Sequence, residues 1–278
     1  MIAAEAIATA YREACLLELR ALKPGNVHVF ADGHGFTVAD FEASAEVSAG
    51  PLAAPGRSVG QRVRGAVEAT IARVSWNTNL GIVLLCAPLA AAAERPGELF
   101  AALEAVLDGL TVADTADVYA AIRCAAPSGL GSAAEHDVAE APTVDLGAAM
   151  AVAAGRDRIA RAYGDGFADM RKVGLPALAA ARRRGLPEIW CASAVHLAFL
   201  SRFPDTHIER KHGRKQAREV HERARRLVAG LAPGPQGLEP LLAFDAALKR
   251  DGLNPGTSAD FTVATLFCDV LSQCRSGK

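Results

Sequence analysis

The sequence predicts an all-α protein, and three observations carry that prediction. Apolar residues recur at helical spacing along almost the whole chain. Alternation of apolar and polar residues is confined to Val27 and Val29, too short for a sheet and better read as an extended loop. Alanine is abundant, which favours helix and lets helices approach closely. With 278 residues, 51% of them hydrophobic, the chain can bury a large core and repay the entropy of ordering. No fixed-period repeat or long low-complexity linker divides it, so one globular domain over 1–278 is expected.

The elements follow in order. The N-terminal segment is amphipathic, carries acids unlike a signal peptide, and is stopped by Lys23-Pro24-Gly25. Val63, Val67, Ile71 and Val74 form one helical stripe, broken at Asn77-Thr78-Asn79. Leu80 to Ala93 is apolar all round, the pattern of a helix buried at the centre of a helical body. Leu99, Leu103, Val106 and Leu110 give a further stripe introduced by Gly97. Pro233-Gly234-Pro235 reads as a turn, and Leu238, Leu241, Leu242 and Leu248 as a helix closed near Gly252. The last helix runs from about Ser258 to Cys274, with Phe261, Ala264, Phe267, Val270 and Leu271 on its inner side.

Composition narrows the function. Thirty Lys and Arg against 31 Asp and Glu exclude a protein held on nucleic acid by its overall charge. The most apolar window is shorter than the roughly twenty residues a membrane span needs. Six scattered cysteines without a CxxC pair indicate neither a zinc ribbon nor a disulfide framework, but reduced cytoplasmic thiols. A homodimer is compatible with an exposed apolar helix face.

Four polar breaks between apolar helices are the places for chemistry. Lys23-Pro24-Gly25-Asn26-Val27-His28, continuing to His34, pairs a cation with a glycine that lets backbone N–H groups approach a ligand; it also serves as a helix terminator. Asn77-Thr78-Asn79-Leu80-Gly81 can cap the apolar helix or hold a phosphate at its positive end, with Glu68 on the preceding helix within reach. Asp205 and Glu209 stand at i, i+4, one helical face that suits Mg²⁺ or solvent. The following basic run, from Arg210 and Lys211 to Arg226, is mostly a solvated face, its first cations placed to meet a polyphosphate. Asn254-Pro255-Gly256-Thr257-Ser258-Ala259-Asp260-Phe261 opens a helix with hydroxyls at capping positions, a form of anion nest, and Asp260 is a dipole charge or a metal ligand.

Taken together and in order, these segments resemble the triphosphoribosyl-dephospho-CoA synthase family, whose motifs read approximately KPG, GVNTHKG, DTN and SPGGSAD. Glu68, Tyr163, Phe167 and Pro176-Ala177-Leu178 fit the intervening pattern, so the resemblance spans nearly the whole chain. It implies an all-α transferase that takes ATP and 3′-dephospho-CoA, releases adenine, and joins the triphosphoribosyl group to the acceptor's ribose 2′-hydroxyl. On that resemblance Glu68, Asp205 and Asp260 are the catalytic candidates, with Glu68 the base. Asp205, Glu209 and Asp260 would hold Mg²⁺. Lys23, Gly25, Asn77, Thr78, Asn79, Arg210, Gly256, Thr257 and Ser258 would hold nucleotide and phosphate.

The chain departs from the pattern at three places. Asn79-Leu80-Gly81 replaces the family's His-Lys-Gly, His28 stands at an Asp position, and His207 stands at an Asn position. This form resembles a divergent branch associated with tetrahydromethanopterin pathways, where another phosphorylated donor or acceptor is implied. A non-catalytic phosphate-ligand protein on the same scaffold is a third reading, opposed by retention of Asp205, Glu209 and Asp260.

Overall fold

The computed structural model describes residues 1–230 and 234–276, so Pro233 of the expected turn lies outside the described residues. Among the described residues there are thirteen α-helices and no strand, as the all-α reading expected. They are α1 (Ala4–Arg20), α2 (Val38–Ala53), α3 (Val59–Val74), α4 (Leu80–Ala93), α5 (Leu99–Leu107), α6 (Val112–Ala125), α7 (Leu146–Ala153), α8 (Arg158–Asp165), α9 (Leu175–Arg183), α10 (Glu188–Arg202), α11 (Thr206–Gly230), α12 (Leu238–Arg250) and α13 (Gly256–Ser276). A π-helical turn at Met170–Gly174 leads into α9. The extended segment around Val27 makes only isolated bridges, His28 with Ala31 and Gly33 with Phe36.

The helices group into two compact units. The first comprises Met1–Glu13, Asp40–Ala168 and Phe267–Lys278, and the second Ala14–Ala39 and Asp169–Leu266.

In the first unit α4 is buried at every residue except Gly81 and Ala91, matching its all-round apolar sequence. Pro88 sits inside that helix and has no N–H for the Leu84 carbonyl one turn back. The Tyr163 hydroxyl donates to that carbonyl instead, at 2.7 Å. Burial raises the Tyr163 phenol well above its ordinary range, so it stays a donor. Capping boxes at Ser58 and Thr111 start α3 and α6. The stripe through Leu110 outruns its helix, because α5 stops at Leu107 ahead of Gly109.

The second unit has one apolar cluster of Leu200, Ile208, Ala217, Val220, Ala224, Phe244, Leu248 and Leu253, and another centred on Leu22, Trp190, Leu197 and Leu241. Helix α13 differs from the one-sided helix expected. It is buried all round from Ala259 to Cys268 apart from Asp260, and Thr262 and Thr265 satisfy their hydroxyls on carbonyls four residues back. No helix among the described residues is long and apolar enough to cross a membrane.

Candidate functional site

Three of the four polar breaks lie in the second unit and are hydrogen-bonded into one network. The first joins the fourth through Asn26 Nδ2, which donates to Asn254 Oδ1 at 2.8 Å. The third joins the fourth through Asp205, a fully formed clamp. Its Oδ1 accepts the backbone N–H groups of His207 (2.9 Å) and Ile208 (3.2 Å), and its Oδ2 accepts the backbone N–H and the hydroxyl of Ser258, both at 2.8 Å. Asp205 therefore precedes α11 as its N-cap and holds the first turn of α13 with its other oxygen. Burial pushes the Asp205 carboxyl up from its ordinary range, and the donors from Ser258, Ile208 and His207 oppose that shift. Thr257 adds a second link, its hydroxyl accepting from His207 N at 3.1 Å and lying 3.0 Å from the Thr206 hydroxyl.

The Lys-Pro-Gly segment is held from several sides. Lys23 is 1% exposed, and its Nζ donates to Glu18 Oε1 (2.5 Å), Asn26 Oδ1 (3.0 Å) and the Val27 carbonyl (2.8 Å). An ammonium has three protons, so all are spent inside the protein. Burial lowers the Lys23 ammonium and raises the Glu18 carboxyl, while their mutual attraction opposes both shifts. Gly25 has φ +83°, and a Cβ there would stand 2.8 Å from Leu248 Cδ1 and from Pro255 Cδ, so only glycine fits. Its N–H donates to Asp245 Oδ1 at 2.8 Å.

Asp245 is the centre of a group that sequence reading missed. It pairs with His28 Nε2 at 3.2 Å and with Lys249 Nζ at 3.1 Å, and Lys249 also donates to the Ala31 carbonyl. Burial would raise the Asp245 carboxyl, but the donors from His28 and Gly25 hold it below its ordinary range. The signal was present, because Asp245 lies on the apolar face that Leu241 and Leu248 define in α12. Glu18 lies similarly beside Ala14 and Cys15 on the buried face of α1.

Cations gather at the start of α11. Burial first, then the neighbouring Arg210 charge, lowers the Lys211 ammonium. His207 Nδ1 lies 3.5 Å from Arg210 Nη2. Burial, then the charges of Arg210, Lys211, His34 and His212, lowers the His207 imidazole to about 3.

The second break belongs to the first unit, together with Glu68. There Asn77 Oδ1 accepts the Leu80 N–H at the start of α4, Thr78 shares a hydrogen bond with Ser44, and Asn79 Nδ2 donates to Ser48 and Thr70. These side chains cap and tie helices. Glu68 is half exposed and pairs with Arg64 at 2.8 Å, which also pairs with Asp117.

A family model for ATP:dephospho-CoA triphosphoribosyl transferase (CitG) matches residues 4–278. The chain belongs to this family. No curated protein matches the sequence. Among solved structures, the chain is similar to one from Archaeoglobus fulgidus provisionally named a triphosphoribosyl-dephospho-CoA synthase. The TM-score is 0.64 at 24% identity over 84% of this chain and 98% of that one, a likeness of fold.

The expected metal set needs correction. Among the described residues no group of three or more His, Cys, Asp or Glu side chains is placed to hold a metal, so Asp205, Glu209 and Asp260 do not assemble as Mg²⁺ ligands. The reason is local. Asp205 is occupied by four donors, and Glu209 pairs with Arg214 at 2.9 Å. Asp260, partly buried just past the first turn of α13, bears on Lys23 electrostatically instead.

Proposed function

We propose that this transferase moves a triphosphoribosyl group from ATP to 3′-dephospho-CoA, and that the second unit's network is its phosphate-binding floor. The acceptor's ribose 2′-hydroxyl bonds to C1′ of the ATP ribose as the N-glycosidic bond breaks. Adenine leaves with the bonding electrons and takes up a proton, while the hydroxyl's proton passes to a carboxylate. Positive charge develops at the sugar, and a carboxylate nearby stabilises it. We assign that charge to Asp260, the partly buried carboxylate of the fourth break.

The observation that carries this reading is the pair of cations at the start of α11, Arg210 with its Nη2 3.5 Å from His207 Nδ1 and Lys211 next to it in the chain. Like charges brought together at a partly buried place are relieved by a polyanion. The amides at the starts of α11 and α13 already donate to Asp205, so side-chain cations hold the triphosphate in this account. Gly25 and Lys23 shape the floor, and Gly256, Thr257 and Ser258 fix its edge. Magnesium arrives on the triphosphate as part of the substrate, where no protein triad is required. The family model covers both units, which supports reading the chain as one functional domain.

Incubating the protein with ATP, Mg²⁺ and 3′-dephospho-CoA tests the reading, with free adenine followed by chromatography. Adenine formation that requires the acceptor is expected, and none under any ratio of substrates contradicts it. A specific observation favours a second acceptor class. Leu80, which stands where the family pattern has Lys, is buried in α4 and supplies no charge. A pterin precursor of tetrahydromethanopterin assembly therefore belongs in the same assay as an alternative acceptor.

A further inference from the structure

We propose that His207 is a specificity-determining residue for the donor, its Nε2–H donating to an anionic phosphoryl oxygen. This inference rests on the polyphosphate reading above and assigns one residue within it.

The tautomer follows from the neighbours. Arg210 can only donate, so the Nδ1 that faces Arg210 Nη2 at 3.5 Å is the ring's acceptor. The imidazole is neutral at physiological pH, held so by burial and by the surrounding charges of Arg210, Lys211, His34 and His212. A neutral ring with Nδ1 accepting carries its proton on Nε2. That Nε2 is buried and has no hydrogen-bond partner.

An unpaired buried N–H is a rare feature that calls for a partner. Here the partner must accept, and the Arg210 guanidinium lies beside the ring, so an anionic oxygen fits where a neutral hydroxyl would leave that charge unrelieved. Gly256 fixes the ring's place, since a Cβ there would come within 2.9 Å of His207 Nδ1. Asp205 and Thr257 hold the His207 backbone from below. His207 keeps partial exposure as a residue while its Nε2 is covered, so a phosphoryl oxygen reaches Nε2 only when a neighbouring side chain moves aside.

Inorganic tripolyphosphate is the probe, since it carries the phosphate chain without base or sugar. Calorimetric titration of the full chain is expected to show binding weakened about tenfold by His207→Ala, the loss of one charge-assisted hydrogen bond. His207→Asn, whose amide is also a donor, should recover binding to within about threefold. In the unsubstituted protein, the ¹⁵N resonance of the His207 Nε2 should move during the titration, a readout that does not depend on any variant folding. Binding within twofold of wild type in His207→Ala, an unmoved Nε2 resonance on saturation, or no binding by the wild type would each overturn the assignment. The two readings fail separately. Adenine release with an unchanged KM for ATP in His207→Ala sinks the role of His207 and spares the transferase. Binding that depends on residue 207 without adenine release does the reverse.

Discussion

One carboxylate, Asp205, caps α11 with Oδ1 and holds Ser258 at the start of α13 with Oδ2, so two helix ends share a single buried anion. This arrangement makes Asp205 a positioning residue. Asp205→Ala removes a cap and leaves several buried N–H groups unpaired, and should cost about 3 kcal/mol in urea unfolding. Ser258→Ala removes only the hydroxyl donor and should cost about 1 kcal/mol. Equal stability of Asp205→Ala and wild type would contradict the clamp.

Lys23 is likewise a structural cation. Replacing it with Met strands the Glu18 carboxylate in the core and should cost about 4 kcal/mol, while Lys23→Met with Glu18→Leu should recover most of that loss. Thermal unfolding of the two single variants and the double variant measures the coupling. A Lys23→Met protein that keeps its stability and loses only affinity for ATP would show that the ammonium serves phosphate instead.

Tyr163 and Pro88 form a compensated pair through the Leu84 carbonyl. Tyr163→Phe should cost about 1–2 kcal/mol in a wild-type background, because a buried acceptor loses its partner. In a Pro88→Ala background the helix supplies the missing N–H, and the same change should cost measurably less. A double-mutant cycle with no coupling would refute the pairing.

His196 sets a pH dependence. It is 0% exposed, and burial, then the charge of Lys23, lowers its imidazole to about 3. In the unfolded chain it titrates near 6.5. As pH falls below 6.5 the unfolded state takes a proton that the folded state refuses, so stability drops by about 1.4 kcal/mol per pH unit for this group. Above about pH 7 it contributes no slope. His196→Leu should therefore reduce the slope of unfolding free energy between pH 4 and 6 by about one proton, measured by urea titration at each pH. An unchanged slope would mean that His196 is protonated in the fold.

The helices were legible wherever one physical pattern dominated. Leu80 to Ala93 reads as a central helix because no polar residue interrupts it. Leu110 misled because the apolar stripe continues past the turn at Gly109, and backbone freedom ends a helix that side-chain spacing does not. Helix α13 misled because Thr262 and Thr265 look polar in sequence yet bury their hydroxyls on their own helix. In the site, the segments were legible and the roles were not. Asp205 and Glu209 at i, i+4 suggested a shared helical face, but Asp205 precedes the helix and is consumed by capping it. Asp245 and Glu18 were passed over because each shares its helix with other acids, and nothing in the spacing says that His28 and Lys23 are buried against them.

The most direct test of the account combines its chemistry with its site. ATP and 3′-dephospho-CoA should yield adenine and a triphosphoribosylated acceptor in equal amounts by mass spectrometry. Asp260→Asn should lower kcat at least 100-fold, while its unfolding midpoint stays close to wild type. Full turnover in Asp260→Asn, or adenine without the heavier acceptor, would contradict it.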